Sequence, residues 1–129
     1  MDEALRKSGE TIRRKVLGDD YVDRAMNGAD AFSAPFQDVL NEYCWGHAWT
    51  DDTLELKQRS LLNLGMLVAL NRMHEFGIHV RGAIRNGLAE DELRAAITQI
   101  AVYCGIPAGV EAFRVARTVR DEMRQKGEL

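Results

Sequence analysis

Apolar residues recur at spacings of three and four along every long segment of the chain, which is the period of helices with one buried face. The expectation is an all-α protein. The pattern predicts a first helix over 2–17 and a short second one over 20–27, with Tyr21, Val22, Ala25 and Met26 in register and Gly18 and Gly28 as punctuation. Ser33 is placed to cap a third helix that has Pro35 just inside it. In that helix Phe36, Val39, Leu40, Tyr43 and Cys44 form a stripe expected to face the core. The TDD at 50–52 is expected to cap a long helix reaching about Asn71, which is apolar nearly all round after Ser60 and so reads as central. Three more helices follow. One covers 73–86 and closes at Gly87, which suits a left-handed cap. Another covers 90–104 and ends at Gly105, although Ala89 stands where a Ser or Thr cap belongs and Glu92 compensates only in part. The last opens at Pro107, and its charged end over 120–129 reads as solvated and frayed.

With 129 residues, 46% of them hydrophobic, the chain has the size and the apolar content of a single domain over 1–129. A net charge of −3 argues against nucleic acid or an anionic membrane surface as partner, so an anionic ligand must be met by local positive charge. The N-terminal MDEALRKSGETIRRK has no apolar stretch of the kind a secretory signal needs. The most apolar run, LLNLGMLVAL at 61–70, is interrupted by an asparagine and is about half the roughly 20 residues that span a bilayer. A cytoplasmic protein is the expectation. Cys44 and Cys104 form neither a C-x-x-C nor a zinc-spaced cluster, and they read as reduced packing residues.

The stretch HEFGIHVRGAIRNGL at 74–88 carries the candidate chemistry. On a helix Arg72, Glu75, His79, Gly82 and Asn86 share one stripe, while Phe76, Val80, Ala83 and Ile84 lie towards another. A carboxylate beside a histidine orients the ring and poises it to pass a proton, but the same pairing also serves as a purely structural contact. His74 and His79 are five apart and point to different sides of a helix, so no metal site is expected. Glu42, Trp45 and Trp49 occupy a face of the preceding helix distinct from its apolar stripe.

Three segments, NEYCWGHAW at 41–49, RSLLNLGMLVALNRMHEFGIHVRGAIRNGL at 59–88 and AVYCGIPAGVEAF at 101–113, together resemble the carboxymuconolactone decarboxylase family. With the spacers between them the resemblance covers most of 21–119. It implies an all-helical fold like that of the alkylhydroperoxidase D proteins, assembled as a ring-like homohexamer. The thiol-bearing branch of that superfamily carries C-x-x-C-x-x-x-H, and setting its histidine on His79 puts Arg72 and Glu75 where the cysteines belong. Disulfide chemistry is therefore not expected. Ser60 likewise stands where that branch has a proton-relaying glutamate.

The activity implied is decarboxylation of 4-carboxymuconolactone to 3-oxoadipate enol-lactone and CO2, in protocatechuate breakdown through the β-ketoadipate pathway. The substrate's lactone carbonyl takes the electrons, so no cofactor is called for. The resemblance makes His79 the proton carrier, oriented by Glu75 or Glu42. Arg59 and Arg81, with Arg72 and Arg85 behind them, become the carboxylate holders. Trp45 and Trp49 become pocket walls, or else core or subunit contacts, and Tyr103 a further donor or a core tyrosine. The rival readings are a related cofactor-free lactone or β-keto acid enzyme, and a noncatalytic oligomeric binding protein.

Overall fold

The computed structural model describes all residues, 1–129, and contains helices and no strands. The helices are α1 Glu3–Leu17, α2 Asp19–Asn27, α3 Ala34–Val39, a π-helix Leu40–Trp49, α4 Leu56–Ala69, α5 Met73–Arg85, α6 Glu90–Cys104 and α7 Ile106–Gln125. None is long and apolar enough to cross a membrane. The chain divides into two compact units, Met1–Leu56 and Lys57–Leu129.

In the first unit α1 packs along the π-helix. The approach is close because both helices present glycine at the crossing: a Cβ on Gly9 would collide with the backbone carbonyl of Asn41, and one on Gly46 would lie 2.6 Å from that of Leu5. Asp2 caps α1 by accepting from Leu5 N at 3.1 Å. Buried Arg13 donates to Gln37 Oε1 at 2.9 Å and Asn41 Oδ1 at 3.1 Å, while its buried Nε finds no acceptor. Burial lowers the pKa of this guanidinium.

Two expectations fail here. Ser33 does not cap α3; its hydroxyl and amide turn back to Asp30 Oδ1, at 3.2 and 3.1 Å. The stripe Phe36, Val39, Tyr43 is exposed rather than buried, with Tyr43 at 72%. Phe36 and Val39 lie on α3, which buries no residue, and from Leu40 the winding is π, with i→i+5 hydrogen bonds, so a register counted at 3.6 residues per turn no longer holds at Tyr43. Asn41, Trp45, Gly46 and Trp49 are buried instead.

In the second unit Phe76, Val80 and Ala83 of α5 form the centre of a core with Leu64 and Val68 of α4, Leu93 and Ile97 of α6, and Ala112 and Ala116 of α7. Asp51 accepts from the amide and hydroxyl of Thr53, at 3.0 and 2.7 Å, in a turn that delays the start of α4 to Leu56. α4 is also not the central helix expected: Leu62, Met66 and Leu70 are each more than half exposed. One stripe, Ser60, Leu64 and Val68, is enough to seat it, and the rest of its apolar surface stays open.

The α4–α5 connection is a tight hairpin. Asn71 takes a left-handed conformation at φ 57°, a state asparagine tolerates, while Arg72 N donates to Leu67 O and Asn71 N to Val68 O. The same closure ends α5 as expected, with Gly87 at φ 96°, Leu88 N on Ala83 O and Gly87 N on Ile84 O. α6 has the predicted bounds, and Glu92 supplies half a capping box by accepting from Ala89 N at 2.9 Å. α7 does not fray at Arg120: it continues to Gln125, with Met123 buried and Arg120 held by Glu90 at 2.7 Å.

Candidate active site

Folding α5 back along α4 lays two polar pairs into an otherwise apolar helix contact. Ser60 and Asn63 are one turn apart on α4; His79 lies on α5 and Asn86, two turns on, is the residue that caps that helix. Asn86 Nδ2 donates to Ser60 Oγ at 2.9 Å, and Asn63 Nδ2 lies 3.3 Å from His79 Nδ1. Ser60 is fully buried. The position that holds a relay glutamate in the thiol branch is therefore a hydroxyl tied to Asn86.

An amide nitrogen donates and does not accept, so the Asn63 contact requires a lone pair on His79 Nδ1. That pairing goes with the tautomer that carries its hydrogen on Nε2. Burial lowers the His79 pKa to about 4, so the imidazole is neutral near pH 7. A neutral imidazole in a partly desolvated place is a hydrogen-bonding group of the kind that suits an oxygen on which negative charge develops.

The other sequence candidates differ in exposure. Glu75 is exposed, and Asn63 is the residue beside His79 Nδ1. Arg59 is half-buried on α4, next to Ser60. Arg72 is exposed at the N-terminal boundary of α5. Arg81 is half-buried and gives Nη1 to Glu128 Oε2 at 2.6 Å, an ion pair that ties α5 to the C-terminal tail. Arg85 is exposed. Tyr103 is 84% exposed on α6, which rules out the core reading of that residue. In the other unit Glu42 is half-buried, and Trp45 and Trp49 are buried with ring centroids 4.7 Å apart.

Sequence reasoning missed Asn63 and the Ser60 to Asn86 bond. The signal was the asparagine that interrupts LLNLGMLVAL, since an amide within an apolar run needs a partner once the helix packs.

The profile of the carboxymuconolactone decarboxylase family matches residues 34–118, which contain the whole α4–α5 seam. The chain belongs to that family. Within it, the chain is 42% identical over 120 residues to the nitrosuccinic acid decarboxylase of Metarhizium robertsii, covering 93% of this chain and 84% of that one. It is 34% identical over 118 residues to the 4-carboxymuconolactone decarboxylase of Acinetobacter baylyi, covering 92% and 88%. A 4-carboxymuconolactone decarboxylase from Pseudomonas putida matches over 47 residues at 38% identity, 36% of this chain and 98% of that one. Family members named for two different acids thus share nearly the full length of this chain.

Proposed function

We propose that the protein is a cofactor-free decarboxylase whose substrate is a succinate skeleton bearing an oxygen-terminated electron sink on C2. The two acids named for its relatives share that skeleton. In each, one carbon carries the departing carboxylate and a CH2COO⁻ arm. In nitrosuccinate that carbon also bears a nitro group; in 4-carboxymuconolactone it belongs to a ring whose double bond leads to the lactone carbonyl. Breaking the C–CO2 bond sends the electron pair to a nitro oxygen or to the lactone oxygen, and carbon then takes a proton. The products are 3-nitropropanoate or 3-oxoadipate enol-lactone. The lactone reaction would serve protocatechuate catabolism in the cytoplasm. The 42% identity favours the nitro acid as the first substrate to try beside the lactone.

The observation that carries the mechanism is the Asn63–His79 hydrogen bond. Neutral His79 donates Nε2–H to the oxygen that becomes anionic, a preorganised contact worth roughly 10²- to 10³-fold in rate. The proton-carrier role of His79 stands beside this one as a proposal. Glu42 and Glu75 stay as proposals for the carboxylate that orients His79. Arg59 holds the CH2COO⁻ arm rather than the carboxylate that leaves, because a cation on the departing group would oppose its loss. Self-association is supported by exposed Leu62, Met66, Leu70 and Tyr103, a surface larger than isolated apolar residues. A homohexamer fits the resemblance.

The test is CO2 release from nitrosuccinate, 4-carboxymuconolactone and plain succinate. Rapid release from either activated acid, with succinate inert, supports the reading. Release from none of the three removes it.

A further inference from the structure

A pocket lies between α6 and α7, and no residue of the His79 seam lines it. Near the turn that joins these helices, Gly109 lets the backbone of α7 touch Ala101, where a Cβ would collide. Towards the other end a cavity of about 250 Å³ opens, with Leu93 and Ile97 of α6 and Phe113 and Ala116 of α7 as its apolar lining. Its polar lining is three guanidiniums, Arg94, Arg117 and Arg120, and one carboxylate, Glu90.

These charges are not equivalent. Arg120 is neutralised by Glu90 at 2.7 Å and Asp121 at 3.1 Å, and Glu90 is also approached by Arg124 at 3.5 Å. Arg120 holds the Glu90 carboxyl below its usual pKa range, so it stays ionised and committed to that network. Arg94 acts on Glu90 only through its field, and neither Arg94 nor Arg117 forms an ion pair. In a chain of net charge −3, two uncommitted guanidiniums over an apolar floor form a local reversal of sign.

We propose that this pocket binds a small organic carboxylate with a flat apolar body, such as an aromatic acid. Planar guanidinium forks match a carboxylate by paired hydrogen bonds, while half-buried Phe113, over a floor closed by Leu93, Ile97 and Ala116, offers apolar surface that a ring can cover. Inorganic phosphate meets only the first requirement. The volume falls below the roughly 300 Å³ at which drug-sized sites begin, which limits the ligand to about one ring. None of the lining residues belongs to the seam of Ser60, Asn63, His79 and Asn86, so occupancy here is independent of the catalytic reading.

The experiment is calorimetric titration of the full chain with benzoate, using inorganic phosphate as the anion without an apolar body. Benzoate is expected to bind, with phosphate at least about tenfold weaker and the R94Q/R117Q double variant losing at least about tenfold in affinity. His79→Gln is expected to bind benzoate as the parent does, which separates this pocket from the active site. Both arginines are surface residues, and circular dichroism of the double variant checks that it folds. A phosphate affinity equal to that of benzoate overturns the ligand class. Benzoate binding that is absent, unchanged in the double variant, or lost with His79→Gln overturns the site.

Discussion

Asn63 Nδ2 sits 3.3 Å from His79 Nδ1, a contact between adjacent helices that couples the Asn63 amide to the tautomer of the ring. Asn63→Asp offers an acceptor where the amide was a donor, so it moves the hydrogen to Nδ1 and favours the charged ring. The expected result is a kcat lower by about 10²-fold with KM little changed, together with a reversed tautomer in ¹⁵N spectra of His79. An unaltered tautomer and rate would show that Asn63 does not position the ring.

The depressed pKa of His79 sets a pH dependence. In the unfolded chain the ring takes up a proton below about pH 6.5, whereas the folded ring resists until about pH 4. Between those values the unfolded state binds more protons, so stability falls as pH falls, by about 1.4 kcal/mol per unit at most for this one group. Above about pH 6.5 its contribution is fully present. Urea midpoints at pH 4.5, 5.5 and 7 measure the loss, and His79→Gln is expected to flatten the slope. Activity should follow the neutral ring and hold from pH 7 down to about 5; a rate that rises on acidification through pH 6 would instead mark an imidazolium acid.

Gly9 tests the first unit. Alanine there drives a Cβ into the Asn41 carbonyl of the π-helix, and backbone atoms cannot swing aside as a side chain does. The expected cost is about 2–3 kcal/mol, read as a lower denaturant midpoint with an unchanged slope. A neutral Gly9→Ala would mean that the two helices do not cross so closely.

The open face of α4 tests assembly. Leu62 and Met66 are half exposed and line a groove of about 660 Å³ with Ala95, Gln99, Ile100 and Tyr103 of α6. Sedimentation of the parent chain should show an oligomer, and L62E/M66E should sediment as a smaller species with unchanged helix content. An equally large species in the variant would take this face out of the interface.

The sequence was most informative where local chemistry alone decides. Gly87 and Gly105 end their helices because a left-handed or extended break needs no partner, and α6 has the bounds its caps suggest. It was least informative where the outcome depends on winding or on a distant partner. Phe36, Val39 and Tyr43 keep a 3.6-residue stripe, yet the π winding that begins at Leu40 turns the buried side to Asn41, Trp45 and Trp49. His79 was legible as a candidate, but Glu75 at i−4 drew attention from Asn63, sixteen residues away and brought to the ring by the hairpin at Asn71. Arg81 shows the same limit, since its partner Glu128 lies in the tail.

The most direct measurement is CO2 release from nitrosuccinate and from 4-carboxymuconolactone after dialysis against chelator, comparing the parent chain with His79→Phe, which keeps a flat ring but has no N–H. The expected result is metal-independent turnover of at least one acid by the parent and a loss of roughly 10²- to 10³-fold in the folded variant. Equal turnover by the two proteins would contradict the role of His79, and no turnover of either acid by the parent would contradict the decarboxylase itself.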